Sequence, residues 1–207
     1  MFPDGCRDLI LTVDASSRPD WHISDLHLSP LYLAVESGIA FYGLRLHPGV
    51  AIDEARLLAD VHARQPDAAE MTALVEEHCR RSPSISEAID CLAESMSVAQ
   101  AASRLGVSIR TLQRLFGAHG QMPPEFWLLL SRARRAAAMT ALDASLADVA
   151  AAAGYSDQAH MTREFARWFE LSPGRFRTQR AARELIDQPG LGTDVQISTR
   201  MPLGSLT

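Results

Sequence analysis

The chain has 207 residues and a mass of 22.6 kDa, room for one large domain or two small ones; 47% of it is hydrophobic and 22% charged, enough apolar content for a real core. No run approaches the roughly 18 apolar residues of a membrane-spanning helix, and the three cysteines (Cys6, Cys79, Cys91) fit neither a disulfide framework nor a zinc knuckle. The net charge of −5 argues on its face against a nucleic-acid partner, but it is unevenly spread: residues 1–80 hold 6 arginines against 13 acids, residues 81–187 hold 13 arginines against 11 acids, and the chain has no lysine.

In chain order, Met1-Phe2-Pro3-Asp4-Gly5 lacks the basic and then apolar form of a secretory leader, so the expected setting is a reducing cytoplasm. Leu9–Val13, Leu31–Val35 and Ile39–Leu46 are short runs rich in branched and aromatic residues and predict strands. Glu36-Ser37-Gly38 predicts a hairpin turn between the last two, and Ser16–Pro30 is polar and turn-forming. From residue 53 the period changes to helical, with Ala55, Leu58, Ala59 and His62, then Met71, Leu74, Val75 and His78, at three- and four-residue steps. Arg80-Arg81-Ser82-Pro83-Ser84 reads as a boundary. Beyond it the pattern predicts helices over 84–95, 97–104, 108–117, 123–141, 145–152, 157–169 and 173–186, followed by an aperiodic tail from Gln188 that is expected to be disordered. The fold class is therefore α+β and mostly α. Residues 1–52 form a small β-rich module, 53–82 a helical connector, 83–187 an all-α domain and 188–207 a flexible tail.

The helical half contains a near-duplication. Ser97–Ser108 recurs 48 residues later as Ser145–Ser156; after one inserted residue, Leu112, Arg114 and Phe116 align with Met161, Arg163 and Phe165. Each copy has the parts of a helix-turn-helix. Ser97 and Ser145 cap the first helix, small Ala102 and Ala150 let the helices cross, and Gly106 and Gly154 take the left-handed turn. Ser108 and Ser156 then cap the second helix, whose apolar residues face the core. The opposite face offers Arg110, Thr111, Gln113 and Arg114 in the first copy, and Gln158, Ala159, His160, Thr162 and Arg163 in the second. These side chains match base edges: arginine to guanine, glutamine to adenine, and threonine or alanine methyls to thymine. A single copy could equally be a solvated helix face, and the duplication is what favours DNA. Trp127 and Trp168, among apolar neighbours, read as core.

The segment Ala147–Phe165, followed by Phe169-Glu170-Leu171-Ser172-Pro173-Gly174-Arg175-Phe176-Arg177, resembles the AraC/XylS family of transcriptional regulators, and the likeness extends over 84–180. The resemblance implies seven helices in two helix-turn-helix subdomains, joined by a linker helix at about Pro123 to Leu142, with the two second helices entering successive major grooves. It also implies base contacts from the two faces just named. Ser108, Ser156 and nearby helix N-termini would suit phosphates. Arg132, Arg134 and Arg135 on the linker helix are candidate phosphate contacts, with solvation or pairing to acids as the alternative. Phe2–Ile10 and Gly43–Gly49 resemble the two ends of a β-rich sensor domain found in some AraC-type regulators, over a span short enough to leave a reduced pocket or none.

The implied function is sequence-specific binding of double-stranded DNA to regulate transcription, with RNA polymerase and a small-molecule effector as further candidate partners, no membrane partner, and a monomer or homodimer. The alternative is a protein-interaction module that retains the fold without DNA binding. An enzyme would have to use Asp4, Asp8, Asp14, His22, His27 or His47. No histidine pair with a trailing glutamate and no phosphate-cradling glycine loop occurs, Asp4-Gly5 reads as a turn, and Cys6 reads as structural, so no catalytic residue, metal or cofactor is assigned.

Overall fold

The computed structural model describes residues 1–32, 39–140, 142, 144–187, 190 and 191. Three strands open the fold: β1 (Arg7–Val13), β2 (Pro19–Ile23) and β3 (Ala40–Leu46) form one antiparallel sheet in the order β2-β1-β3. The register pairs Leu9 with Ile23 and Leu44, and Leu11 with Trp21 and Tyr42. Alternation therefore puts Leu9, Trp21 and Leu44 on one face. That face is covered by helices α1 (Glu54–Arg64) and α2 (Ala68–His78), whose Leu57, Val61 and Leu74 complete its core. A two-stranded ribbon, β4 (Ala51–Ile52) with β5 (Cys79–Arg80), closes the base of this helical pair.

Strand β2 falls inside the stretch expected to be polar turns. Only Trp21 among its five residues is buried, so it is an edge strand without an apolar run to announce it. The expected hairpin of Leu31–Val35 with Ile39–Leu46 is replaced by pairing of β3 with β1. Leu31 and Tyr32 are in no strand, and 33–38, including the predicted turn, lie outside the described residues.

The helical half follows without a gap: α3 (Pro83–Glu94), α4 (Val98–Arg104), α5 (Ile109–Ala118), α6 (Pro124–Thr140), α7 (Leu146–Ala153), α8 (Gln158–Phe169), α9 (Pro173–Thr178) and α10 (Arg180–Ile186). Its central helix α6, about 25 Å long at 1.5 Å per residue, packs against each of the other seven. Its buried positions include Trp127, Leu128, Leu130, Ala133, Arg134, Ala136 and Ala137, and the small residues let neighbours approach closely. Trp127 and Trp168 are both core, as expected. The helix expected over 173–186 is broken at Gln179, whose backbone is extended. Phe176 is buried at the end of α9 and Arg177 donates to the carbonyls of Thr140 (3.1 Å) and Ala144 (2.7 Å), so the chain must turn there before α10 can lay Ala182 and Ile186 into the core. The tail from 188 lies outside the described residues, apart from Gly190 and Leu191.

Where the sheet meets the helices, buried charges replace apolar packing. Arg45 donates to Asp8 (3.0 Å) and pairs with Asp4 (3.0 Å). Burial works against the charge on Arg45, but the hydrogen bonds to Asp8 and the Asp4 carboxylate outweigh it and hold its pKa above the ordinary value. Burial is also the main influence on Asp4 and pushes its pKa up. Asp4 Oδ1 accepts the backbone N–H of Cys6 (2.9 Å) around Gly5, so Asp4-Gly5 is the turn expected of it. Replacing Arg45 by methionine leaves two buried carboxylates unpaired and should cost about 3–5 kcal/mol in urea unfolding. Asp4→Asn should cost clearly less, because burial already opposes the Asp4 charge; equal losses would refute this ordering.

Candidate nucleic-acid interface

Each helix-turn-helix is assembled by the same local rules. Ser97 accepts the N–H of Gln100 at the start of α4, and Ser145 that of Asp148 at the start of α7 (both 3.1 Å). Both helices end in a left-handed glycine, Gly106 (φ 68°) and Gly154 (φ 85°). The following amides, from Val107 and Tyr155, return to Ala102 and Ala150 carbonyls at 2.9 Å, which satisfies the last turn of each helix. Ala102, Ala150, Leu112, Phe116, Met161 and Phe165 are all buried, as the repeat required.

The units differ where the inserted residue falls. Ser108 caps α5, accepting the Thr111 N–H (3.1 Å). Ser156 does not cap α8; Asp157 does, accepting the N–H of His160 (2.6 Å), so the expectation for Ser156 is corrected. Counting from the glycines, Val107 and Tyr155 correspond, and Ser156 is the extra residue. Its hydroxyl meets Asp157 (3.3 Å) and His160 Nδ1 (3.0 Å) instead. The Asp157 carboxylate is held below its usual pKa, chiefly by the His160 amide. It therefore fills the positive end of α8 with a protein anion, where the sequence reading placed a phosphate. Asp157 was legible in the sequence: it stands 49 residues after Ser108, the offset at which the two second helices align, and aspartate is a strong N-cap.

The predicted reading faces are on the surface. Arg110, Thr111, Gln113 and Arg114 are exposed along α5, and Gln158, Ala159 and Arg163 along α8, with His160 and Thr162 half-buried. Several are held in place by the protein. Gln113 donates to Glu125 (3.3 Å), Thr111 shares a hydrogen bond with Ser108 (2.9 Å), and Thr162 donates to the Gln158 carbonyl (2.8 Å). The His160 ring stands edge-on to Tyr155, centroids 5.3 Å apart.

The linker-helix arginines do not form a basic surface. Arg134 is buried and donates to the carbonyls of Pro3 (3.4 Å) and Ile186 (3.2 Å), which removes it as a phosphate contact. Arg135 is half-buried and donates to the Ala93 carbonyl, and Arg132 lies over the Tyr155 ring, 4.6 Å from its centroid. Neither solvation nor acid pairing describes them; all three tie α6 to its neighbours. The repeat pattern could not reveal this, because their partners lie in other elements.

Of the residues on which an enzyme would have to be built, Asp8, His22 and His27 border one cavity beside the sheet, and Asp4, Asp14 and His47 are not among its walls. Asp4 and Asp8 belong to the buried ion network, Asp14 pairs with Arg18 (2.9 Å), and His22 lies on β2. Burial pushes the Cys6 thiol far above its ordinary pKa, which makes it inert. Asp60, Glu77 and His78 do converge, but His78 already pairs with Asp60 (2.8 Å) and Arg64 reaches the same carboxylate oxygen (3.5 Å). The sheet face turned away from α1 and α2 borders a cavity of 430 Å³, with Ile10, His22, His27, Leu31 and Phe41 among its walls. Among the described residues, no helix is long and apolar enough to cross a membrane.

Residues 101–179 match a family model described as a helix-turn-helix domain. The chain is 37% identical over 89 residues to the transcriptional activator NphR of a Rhodococcus species; the match covers 42% of this chain and spans about a quarter (26%) of that activator. Among solved structures, it is similar to an AraC-type transcriptional regulator from Chromobacterium violaceum (29% identity, 48% of this chain and 93% of that one, TM-score 0.43). It is also similar to the C-terminal domain of the two-component response regulator yesN from Fusobacterium nucleatum (18% identity, 46% and 99%, TM-score 0.42).

The different caps give a direct test. Ser108→Ala should destabilise the protein by about 0.5–2 kcal/mol, whereas Ser156→Ala should leave the thermal midpoint nearly unchanged. Asp157→Ala should lower the midpoint near neutral pH. Because the folded-state pKa of Asp157 is depressed, that deficit should shrink as pH falls through the carboxylate range and wild-type Asp157 becomes protonated. A deficit constant to the lowest pH would contradict the assignment.

Proposed function

We propose that the helical half, which matches a helix-turn-helix family model over residues 101–179, is a DNA-binding domain of the AraC/XylS type, and that the protein is a sequence-specific regulator of transcription that reads double-stranded DNA with α5 and α8 in two successive major grooves. The observation that carries this reading is the pair of equivalent faces. Arg114 and Arg163 occupy matching positions, each two residues after a buried core residue (Leu112 or Met161) and two before a buried phenylalanine. A helix anchored along one side in this way offers the other side to a groove, and a B-form major groove admits one helix.

In this reading Arg110, Gln113 and Arg114 contact bases from α5, with Thr111 beside them. Gln158, Ala159, His160, Thr162 and Arg163 do so from α8. Ser108, at the first turn, faces the DNA backbone, where a hydroxyl donor suits phosphate. Because both reading helices lie in one chain, a monomer suffices for a two-part site. RNA polymerase is the further partner through which a promoter-bound regulator acts. A small-molecule effector would find a mainly apolar lining with two imidazoles in the cavity beside the sheet.

The test begins with selection of bound duplexes from a random-sequence library by the full chain at stated salt. Arg114→Ala and Arg163→Ala should each cost about 1–3 kcal/mol at the selected site, and each should relax specificity in one half of it. Unchanged discrimination in both variants would remove the base-reading assignment. Failure to retain any duplex, whatever the salt, would favour a protein-interaction module built on the same fold.

A further inference from the structure

Among the described residues, the hydrophobic core of the helical half contains one buried side chain from residues 1–82, and that residue is Phe2. Its ring stands 5.3 Å from Phe169, edge-on, and 5.8 Å from Phe176. Those two rings, with Phe165, form a mutually touching triad at 4.7–5.5 Å. Phe165 and Phe169 are the inward residues of the last turn of α8, and Phe176 belongs to α9. Phe2 is therefore the fourth ring of the cluster that anchors the second reading helix. The first unit is built differently. Leu112 and Phe116 of α5 belong to the same continuous core, but among the described residues no ring contact joins residues 1–82 to α5; the sheet module approaches α3 at Gly49, against Ile85 and Ile89.

The segment bearing Phe2 is locked in place. Arg134, at the middle of α6, donates to the Pro3 carbonyl, and the Leu191 amide donates to the Asp4 carbonyl at 2.7 Å. Gly5 lies against Trp127 and Leu191, where a methyl would come within 3.2 Å of each. From the same segment the Asp4 side chain turns to Arg45 of β3. Residues 2–5 thus join the sheet to α8 through side chains that have no counterpart at α5.

We propose that Phe2 is a positioning residue for the second DNA-reading helix, so that residues from the β module set how α8, and not α5, engages DNA. This rests on the two-helix reading given above. A ring lost from the cluster frees the last turn of α8 to shift, and displacement of a rigid helix moves Arg163 with it, whereas the first unit keeps its whole core.

Two readouts on the full chain test this. In the first, hydrogen exchange of Phe2→Ala should accelerate in α8 and α9 and match wild type in α4 and α5. In the second, duplexes selected by the wild type are scrambled in either half. Phe2→Ala should bind the intact site roughly ten- to a hundred-fold more weakly, the value of one good base contact. It should lose most of the wild-type penalty for scrambling the α8 half and keep the penalty for the α5 half. Phe2→Leu, which retains apolar volume but not the ring edge, should show both patterns in weaker form and serves where the alanine variant does not fold. Equal acceleration in α4–α5 and α8–α9, equal weakening at both halves, or wild-type behaviour would each overturn the proposal. If the wild-type chain retains no duplex, the two-helix reading fails and hydrogen exchange alone decides whether Phe2 positions α8.

Discussion

Four buried charged side chains, Asp4, Asp8, Arg45 and Arg134, occupy the place where the sheet meets the helices. Two are acidic and two basic, so the group is neutral as a set, but each member depends on the others because an isolated charge there would carry its full desolvation penalty. The set fixes the path of residues 2–8: Arg45 gathers the carboxylates of Asp4 and Asp8, and Arg134 holds the Pro3 carbonyl against α6. Apolar contact alone would let such a segment slide. Hydrogen-bonded charges specify one position, and from that position Phe2 enters the aromatic cluster of α8 and α9.

The two helix-turn-helix units show how one local recipe can yield two different supports. Serine caps, a left-handed glycine, a small crossing residue and a buried Leu/Met-to-Phe pair recur in both. At the turn they diverge: the exposed Val107 of the first becomes the buried Tyr155 of the second, under Arg132. The cap of the second reading helix passes to an aspartate. A methyl at Gly106 would meet nothing, while one at Gly154 would overlap the Met96 side chain. The second turn is thus wedged into its surroundings, and the first is open.

The charge distribution has a related structural meaning. Of the arginines in the helical half, several are spent on carbonyls and rings inside the protein: Arg132, Arg134, Arg135 and Arg177 all serve α6 and its neighbours. The excess of basic residues over residues 81–187 therefore overstates the charge turned to solvent there. Arg110 and Arg114 on α5 and Arg163 and Arg167 on α8 are exposed, as are Arg81, Arg104, Arg175 and Arg180 elsewhere in the helical half.

Much of the helical half was legible in the sequence, since period, caps and glycines act within a few residues of themselves. The helix boundaries, the buried faces of α5 and α8, and the left-handed turns all follow from such local rules. Strand β2 did not show, because an edge strand with one buried residue carries no periodic signal. The break at Gln179 did not show either, because it answers to carbonyls at the end of α6. The arginines of α6 looked like surface charges, because a guanidinium in a helix gives no sign of whether a distant carbonyl waits beneath it. The sequence by itself determined the helices of the two repeated units and which residues face outward on α5 and α8. Only the tertiary structure decided that Arg134 is interior and that Phe2 completes a core at the other end of the chain. Burial depends on what packs over a side chain, and here the covering groups come from segments that no local pattern connects.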